Sequence, residues 1–448
     1  MQSLSWLNLA FRWLFITGLG YYIMTLLQWY HYSVFRILTK HHKMRWHGIY
    51  FLLPLGVFIL SYAFKMPFEI LNTELTPLNG ISLTLGYLCL FILVLSASLI
   101  FEKVLSKQYL QTAKDKIASL KNLKVIAITG SFGKTSTKNF LLQILQTTFN
   151  AHASPKSVNT LLGIANDINQ NLDDKSEVYI AEAGARNKGD IKEITRLIEP
   201  HLAVIAEVGE QHLEYFKTLE NICETKAELL DSKRLEKAFC YSVEKIKPYA
   251  PKDSPLIDVS SLVKNVQSTL KGTSFETLIN GVWESFETKV LGTFNAYNIA
   301  SAILIAKYLG LETERIKRLV LELNPIAHRL QLLEVNQKII IDDSFNGNLK
   351  GMLEGIRLAS LHQGRKVIVT PGLVESNTES NEALAQKIDG VFDVAIITGE
   401  LNSKTIASQL KNPQKILLKD KAQLENILQA TTIQGDLILF ANDAPNYI

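Results

Sequence analysis

The chain has 448 residues, of which 47% are hydrophobic, and a formal net charge of +4 at pH 7. Its length allows about three domains. The small charge gives no electrostatic reason to expect a nucleic-acid partner. The three cysteines, Cys89, Cys223 and Cys240, are few and far apart. They match neither a disulfide framework nor a zinc motif, as expected for a catalytic part in a reducing cytoplasm.

Residues 1–103 differ in kind from the rest because they contain three apolar runs of nearly bilayer-spanning length. The runs cover about residues 13–30, 48–64 and 80–101. Lysine and arginine are concentrated between the first and second runs and again after the third. The positive-inside rule therefore predicts three transmembrane helices in the inner (cytoplasmic) membrane, with the N-terminus outside and the catalytic domains in the cytoplasm. The second run is the weakest, since it is short and contains Pro54; buried helices of a soluble domain are the alternative.

From residue 124 onward, short β-type runs alternate with helical patterns, which is typical of an α/β fold with a parallel sheet. We predict a central P-loop ATPase domain over residues 104–327 and a C-terminal Rossmann-like domain over 328–448, with a hinge at 324–328. The predicted strands lie at 125–128, 178–181, 203–206, 338–341, 366–369, 394–398, 415–418 and 437–440.

The most informative motif is the glycine-rich segment that follows the first of these strands and leads into a helical pattern. Two glycines permit a tight turn, the helix start attracts anions, a lysine neutralises phosphate oxygens and a hydroxyl can ligate Mg2+. An ordinary strand-to-helix turn is the alternative, because only two residues separate the glycines. The residues predicted to bind phosphate are Thr129, Gly130, Ser131, Phe132, Gly133, Lys134, Thr135 and Ser136.

Glu182 follows the apolar run 178–181, at the end of the strand predicted there. Ligands bind at the carboxyl ends of parallel strands, and carboxylate and hydroxyl oxygens are the ligands that Mg2+ prefers. We therefore predict that Glu182 and Thr135 share one Mg2+. A solvated surface carboxylate is the alternative for Glu182.

Seven segments, in this order, resemble the Mur ligase family, the ATP-dependent amide ligases of peptidoglycan precursor synthesis. The resemblance covers roughly residues 125–448. The segments are ITGSFGKTS (128–136), NTLLG (159–163), EAGAR (182–186), VGEQHLE (208–214), TKAE (225–228), NAYN (295–298) and DDSFNGN (342–348).

The resemblance implies a catalytic and metal-binding set of Lys134, Thr135, Glu182, His212 and Lys226. ATP would phosphorylate a carboxylate to an acyl phosphate, with Lys134 on the β and γ phosphates and Thr135 and Glu182 on one Mg2+. His212 matches the family's ligand for a second Mg2+, although lone histidines are usually structural. Lys226, in a helical pattern over 219–230, matches the lysine that several members carry as a carbamate. A carbamate needs a neutral amine; an unmodified surface lysine is the alternative.

Four further residues match nucleotide-binding positions of the family. Asn159 matches an asparagine near the first metal and the phosphates. Asn298, in a turn before an apolar helix over 299–309, resembles the residue that contacts adenine; either asparagine could instead cap a helix. Arg329 and Asp343 match groups that reach the phosphates and ribose when the last domain closes, which would exclude water from the acyl phosphate.

Within the family, the closest resemblance is to the branch that adds D-alanyl-D-alanine to the UDP-linked N-acetylmuramoyl tripeptide. The implied substrates are therefore UDP-MurNAc-tripeptide and D-Ala-D-Ala, with the membrane and other cell-wall precursor enzymes as partners in cell wall biogenesis, and so in cell shape and division. The membrane segment stands in place of the usual UDP-binding domain, and Leu349 stands where a proline is usual.

Three alternatives stay open. One is a sibling ligase of the folate-polyglutamylating or glutamate-amidating kind. Another is a membrane P-loop transport ATPase, which the absence of acidic residues within the three runs disfavours. The last is a nucleotide-binding membrane scaffold without turnover.

Overall fold

The computed structural model describes residues 101–209, 213–345, 347–374, 376 and 378–443. The three predicted transmembrane runs lie outside these residues, apart from the last residue of the third. Within the described part of the chain, no helix is both long and apolar enough to cross a membrane. Tyr109–Ile448 form one compact unit.

The described chain alternates strands and helices for most of its length. The strands are β1 Lys124–Thr129, β2 Ala151–Ala153, β3 Val178–Glu182, β4 Leu202–Ile205, β5 Lys237–Cys240, β6 Leu256–Asp258, β7 Val263–Thr269, β8 Gly272–Ile279, β9 Val282–Thr288, β10 Gln331–Val335, β11 Lys338–Asp343, β12 Lys366–Thr370, β13 Val394–Thr398, β14 Gln414–Leu418 and β15 Leu437–Ala441.

The α-helices are α1 (101–119), α2 Lys134–Leu145, α3 Leu161–Asn171, α4 Asp190–Ile198, α5 Leu213–Phe216, α6 Leu219–Ala227, α7 Val243–Ile246, α8 Thr293–Tyr308, α9 Thr313–Leu321, α10 Leu349–Ser360, α11 Thr378–Asp389, α12 Ser403–Gln409 and α13 Leu424–Thr431. Short 3-10 helices cover Glu228–Asp231, Lys247–Tyr249, Ser260–Leu262 and Lys421–Gln423.

The first sheet has the strand order β2-β3-β1-β4-β5-β6, and every pairing in it is parallel. Its central strands are buried on both faces, which explains their nearly continuous apolar sequences. Because β1 and β3 are neighbours and Ile128 is in register with Glu182, the glycine-rich loop and this carboxylate emerge side by side.

A three-stranded antiparallel sheet, β7-β8-β9, follows the first sheet and was not predicted from the sequence. In β8, buried residues alternate with partly exposed ones. The inward Phe275 and Ile279 join the same hydrophobic core as α2 and α8. The alternation is that of a half-buried strand, but Thr and Glu interrupt the apolar signal.

The second sheet has the order β10-β11-β15-β12-β13-β14. Apart from the antiparallel pair β10 and β11, its strands are parallel. The predicted α/β class with parallel sheets is therefore confirmed, and the edge strand β10 is an addition. Each of the five strands predicted in this part of the chain is present, with boundaries within one to two residues.

Helix α10 of the C-terminal part is joined to the preceding part by charged side chains. The Glu354 carboxylate accepts the backbone N-H of Thr293, at the start of α8, at 2.7 Å, and Arg357 lies 2.7 Å from the same carboxylate. Arg357 also donates to the Ser268 carbonyl at 2.9 Å. Lys350, at the other end of α10, pairs with Glu207 at 2.7 Å. These contacts bring the first residues of the second sheet close to the glycine-rich loop.

Candidate active site

The loop between β1 and α2 needs glycine at two positions. Gly130 has φ +145°, and a Cβ there would lie 3.0 Å from the Cβ of Ala206. Gly133 has φ +81°, and its Cβ would lie 2.6 Å from Oδ1 of Asn298. Both conformations are rare for residues with side chains. The spacing of two residues between the glycines is thus fixed by the neighbouring β4 end and by α8.

Two backbone N-H groups of this loop are already bonded within the protein. The N-H groups of Ser131 and Phe132 donate to the carbonyl of Glu207 at 2.8 and 3.1 Å. In contrast, the N-cap Gly133 offers no side chain to the first turn of α2. The N-H groups of that turn, residues 134–136, are therefore the donors suited to an anion.

Lys134 lies folded over the loop. Its Nζ donates to the carbonyls of Gly130 and Ser131, each at 2.8 Å. Burial is the main reason that the pKa of Lys134 is lowered to about 8. Attraction by Glu182 opposes this shift, whereas repulsion by Arg329 adds to it. An arriving phosphate would favour the charged form. Lys134 is thus placed as the cation of a phosphate site.

Glu182 is the centre of the site and is only 1% exposed. Its Oε2 accepts the Thr135 hydroxyl at 3.0 Å, and its Oε1 accepts the Asn159 amide at 3.2 Å. The predicted meeting of these three side chains is therefore present. Hydroxyl, carboxylate and amide oxygens fit Mg2+, which takes one or two protein ligands and keeps water or phosphate in its other positions.

A lysine that sequence reasoning missed contacts the same carboxylate. Lys138, in α2, is 1% exposed, and its Nζ lies 3.2 Å from Oε2 of Glu182. It also donates to the carbonyl of Lys156. The available signal was its position four residues after Lys134, which places both side chains on one face of the helix.

Lys226 is 4% exposed near the end of α6. The predicted helix over 219–230 ends earlier, at Ala227, and continues as a 3-10 turn. Burial and, to a smaller extent, repulsion by Lys134 lower the pKa of Lys226 to about 7, although Glu228 and Asp190 oppose this shift. Within the described residues its Nζ has no hydrogen-bond partner; it lies 5.9 Å from the centroid of the Phe216 ring. The lowered pKa favours the neutral form of the Lys226 amine, which is the form that carbamylation requires.

His212, the residue predicted to ligate a second Mg2+, lies outside the described residues together with its neighbours 210 and 211. Among the residues that are described, no group of three or more His, Cys, Asp or Glu converges on a possible metal position. The second Mg2+ therefore stays a prediction.

Asn298 does not lie in a turn before a helix, as predicted, but inside α8. The predicted helix begins at residue 299, too late, because the prediction followed the apolar stretch. In the structure Gly292 ends the preceding loop and the helix begins at Thr293. The Asn298 side chain is 7% exposed. Its Oδ1 accepts the hydroxyl of Thr137 at 3.2 Å, and its Nδ2 donates to Asn295 at 3.0 Å. In this structure the Oδ1 end of the amide supports the start of α2, whereas the Nδ2 end bonds within α8.

Arg329 lies just before β10 and Asp343 ends β11, and Arg329 reaches the loop electrostatically. The positive charge of Arg329 acts on Lys134, Lys138 and Glu182. Its guanidinium carbon lies 4.9 Å from the centroid of the Phe345 ring. Asp343 accepts the Leu330 N-H at 3.2 Å. Burial raises the pKa of Asp343 to about 7, against the opposing effects of this hydrogen bond and of Arg329.

These residues define a class of protein. The site belongs to a P-loop protein that binds a nucleoside triphosphate with Mg2+. It consists of a glycine-lysine-threonine loop after a parallel strand, a carboxylate at the end of the neighbouring strand, and surrounding cations.

Comparison with known proteins shows which proteins this chain is similar to. The Mur ligase middle domain matches residues 128–306. The UDP-N-acetylmuramoyl-tripeptide--D-alanyl-D-alanine ligase of Bacillus subtilis (strain 168) is 27% identical over 357 residues, which cover 74% of this chain and 75% of that protein. Residues 128–306 are therefore identified as a Mur ligase middle domain.

Solved structures agree on the fold. A crystal structure of MurF from Acinetobacter baumannii superposes with a TM-score of 0.67 and 21% identity, covering 75% of this chain and 77% of that one. MurF ligase from Thermotoga maritima, in complex with ADP, has a TM-score of 0.65 and 22% identity and covers 75% and 80% of the two chains.

The raised pKa of Asp343 predicts a pH-dependent effect of Asp343→Asn on stability. Between about pH 4 and pH 7 the folded protein holds a proton that the unfolded chain releases, so the wild type loses stability as the pH rises through this window. The asparagine variant does not titrate. We expect its free energy of unfolding, relative to wild type, to increase from about pH 5 to about pH 8 in urea denaturation. The exposed Asp253→Asn serves as control, and a difference between Asp343→Asn and wild type that stays constant or decreases from about pH 5 to about pH 8 would contradict the assignment.

Proposed function

We propose that this protein is an ATP-dependent ligase that joins D-Ala-D-Ala to UDP-MurNAc-tripeptide through an acyl phosphate, releasing ADP and phosphate. The observation that carries the proposal is the convergence of Thr135 and Asn159 on buried Glu182, beside Lys134 at the end of a parallel strand. The similarity to relatives named for this reaction supports the choice of substrates.

The site fits phosphoryl transfer to a carboxylate. A tripeptide carboxylate oxygen bonds to the γ-phosphorus as the bond to ADP breaks; the dipeptide amine then attacks the acyl carbon, and phosphate leaves. Negative charge accumulates in the first step, and Lys134 and Arg329 lie where they can neutralise it. Bound Mg2+, held by Thr135 and Glu182, would add to this neutralisation.

The other predicted ligands complete the proposal. Lys226 would carry a carbamate and, with His212, hold a second Mg2+. The Lys226 amine is buried and has a pKa of about 7, which supports this reaction at neutral pH. Asn159 would contact the first metal and the phosphates, Asn298 the adenine, and Asp343 the ribose.

Residues 1–103 would anchor the enzyme in the inner membrane with the catalytic part in the cytoplasm, close to other enzymes of cell-wall precursor synthesis. The three apolar runs and the distribution of basic residues support this part of the proposal.

An acceptor screen tests the reaction. With ATP, Mg2+ and UDP-MurNAc-tripeptide, the full-length protein should release phosphate with D-Ala-D-Ala and form a product heavier by one dipeptide minus water. Lys134→Ala should lower the rate by about 100-fold or more, because it removes a cation from the transferred phosphoryl group. Lys317→Ala, which removes a lysine that pairs with Glu284 and Glu314, is the control.

Other results of the screen would redirect the proposal. Turnover with glutamate or ammonia but not with D-Ala-D-Ala would indicate a sibling ligase. ATP binding without any product would indicate a scaffold, and an active Lys134→Ala would contradict the role of the loop.

Carbamylation of Lys226 can be observed by carbon-13 NMR in labelled bicarbonate. We expect one carbamate signal that strengthens as the pH rises through about 7, since the neutral amine is the reactive form. Lys226→Met should remove the signal, whereas Lys188→Met, at an exposed position, should retain it. A signal that survives in Lys226→Met would contradict the assignment.

Membrane anchoring can be tested by alkaline carbonate extraction. The full-length protein should stay in the membrane pellet, because transmembrane helices resist extraction whereas peripheral proteins are released. A chain beginning at residue 104 should appear in the supernatant. Release of the full-length protein would contradict the predicted spans.

A further inference from the structure

Lys138 is a buried charge that the proposed reaction does not use. Its side chain lies in α2 and is 1% exposed. The ammonium lies 3.2 Å from Oε2 of Glu182 and donates to the backbone carbonyl of Lys156. The partners are themselves fixed, since Glu182 ends β3 and Lys156 lies in the loop between β2 and α3.

Stability alone does not explain a lysine at this position. A buried ion pair gains little over an apolar pair of the same volume, because both charges lose their hydration. Its characteristic effect is to fix the geometry of the groups that it pairs. The geometry fixed here is that of the carboxylate in the candidate Mg2+ site.

The contacts of Glu182 show how its oxygens are divided. Oε2 accepts from both Lys138 and Thr135, whereas among the described residues Oε1 accepts from Asn159 alone. An ionised carboxylate offers about four lone pairs. Lys138 and Thr135 occupy both lone pairs of Oε2, and Asn159 occupies one lone pair of Oε1. The lone pair that remains for a metal therefore belongs to Oε1.

Lys138 also restrains the loop that carries Asn159. Its acceptor, Lys156, has a left-handed backbone with φ +48° and precedes Asn159 by three residues. On the other side, Gly184 packs so closely that a Cβ there would lie 2.6 Å from Cγ of Asn159. One ammonium therefore connects the carboxylate and the loop of its amide partner to α2.

Lys134 is the competing partner for Glu182. The two residues already attract each other, since Glu182 opposes the lowering of the Lys134 pKa. Without Lys138, the carboxylate is free to turn toward Lys134, which would occupy both the metal ligand and the phosphate-binding cation.

We propose that Lys138 is a positioning residue for the divalent cation. It holds Glu182 and the Asn159 loop so that a carboxylate lone pair faces the Mg2+ that accompanies ATP, and it keeps Glu182 from pairing with Lys134. This inference rests on the proposed function, because it requires that the site binds ATP with Mg2+.

The test is the gain in ATP affinity that Mg2+ provides to the full-length protein, measured by calorimetry in Mg2+ and in EDTA. Loss of a residue that orients a metal ligand typically costs about 10- to 100-fold in metal affinity. We expect Lys138→Met to reduce the Mg2+-dependent gain by a factor in this range and Lys138→Arg to restore part of it. Lys317→Met, which removes a lysine charge elsewhere, should keep the gain.

The outcomes separate the inference from the proposed function. No Mg2+-dependent gain in the wild type contradicts the proposed function itself. A wild-type gain that is unchanged or larger in Lys138→Met overturns the positioning role, as does an equal loss of affinity in Mg2+ and EDTA.

A second pair of variants gives an answer if Lys138→Met does not fold. In Glu182→Gln and Glu182→Gln/Lys138→Met, no negative charge remains unpaired at this position. Since Lys138 acts through Glu182, both should show the same Mg2+-dependent gain. A further loss in the double variant would overturn the proposal.

Discussion

The candidate site depends on one constraint, the burial of the Glu182 carboxylate at the end of β3. A buried carboxylate without partners is costly, and this one is accommodated by donors from two directions: Thr135 and Lys138 of α2, and Asn159 of the loop before α3. The register of β1 with β3 brings them together. The glycines of the loop follow from the same constraint, because α2 can begin beside Glu182 only if the chain turns tightly against Ala206 and Asn298.

The contribution of the C-terminal part depends on how α10 is attached. At one end Glu354 is largely buried and bonds both Thr293 and Arg357. At the other, Lys350 is 61% exposed where it pairs with Glu207. Exposed pairs contribute little to stability. The Glu207 carbonyl also accepts two N-H groups of the glycine-rich loop. The weaker contact of α10 is therefore the one next to the phosphate-binding residues. A movement of α10 would change this contact first.

The sequence was informative where a residue pattern usually has a single structural explanation. Continuous apolar runs identified the central strands of both sheets, and the end of the apolar run before Glu182 correctly placed this carboxylate at a strand end, beside Thr135. It was uninformative where polar residues are buried or where backbone groups do the binding. The Thr and Glu residues of β8 concealed the antiparallel sheet, and a lysine within a helix, Lys138, suggests an exposed face. The acceptor at Glu207 is a carbonyl, which every residue has, so no sequence pattern could indicate it.

The two lysines near the phosphate site have a low pKa for the same reason, but they are suited to different chemical roles. Burial is the main cause for both Lys134 and Lys226. Lys134, however, is attracted by Glu182, and a bound phosphate would raise its pKa further, so it is suited to remain a cation. Lys226 is repelled by Lys134, and the carboxylate of Glu228 that attracts it is already bonded to the N-H groups of Gly189 and Lys192. The lowered pKa of Lys226 and its repulsion by Lys134 therefore support the proposal that this amine is converted to an anionic carbamate.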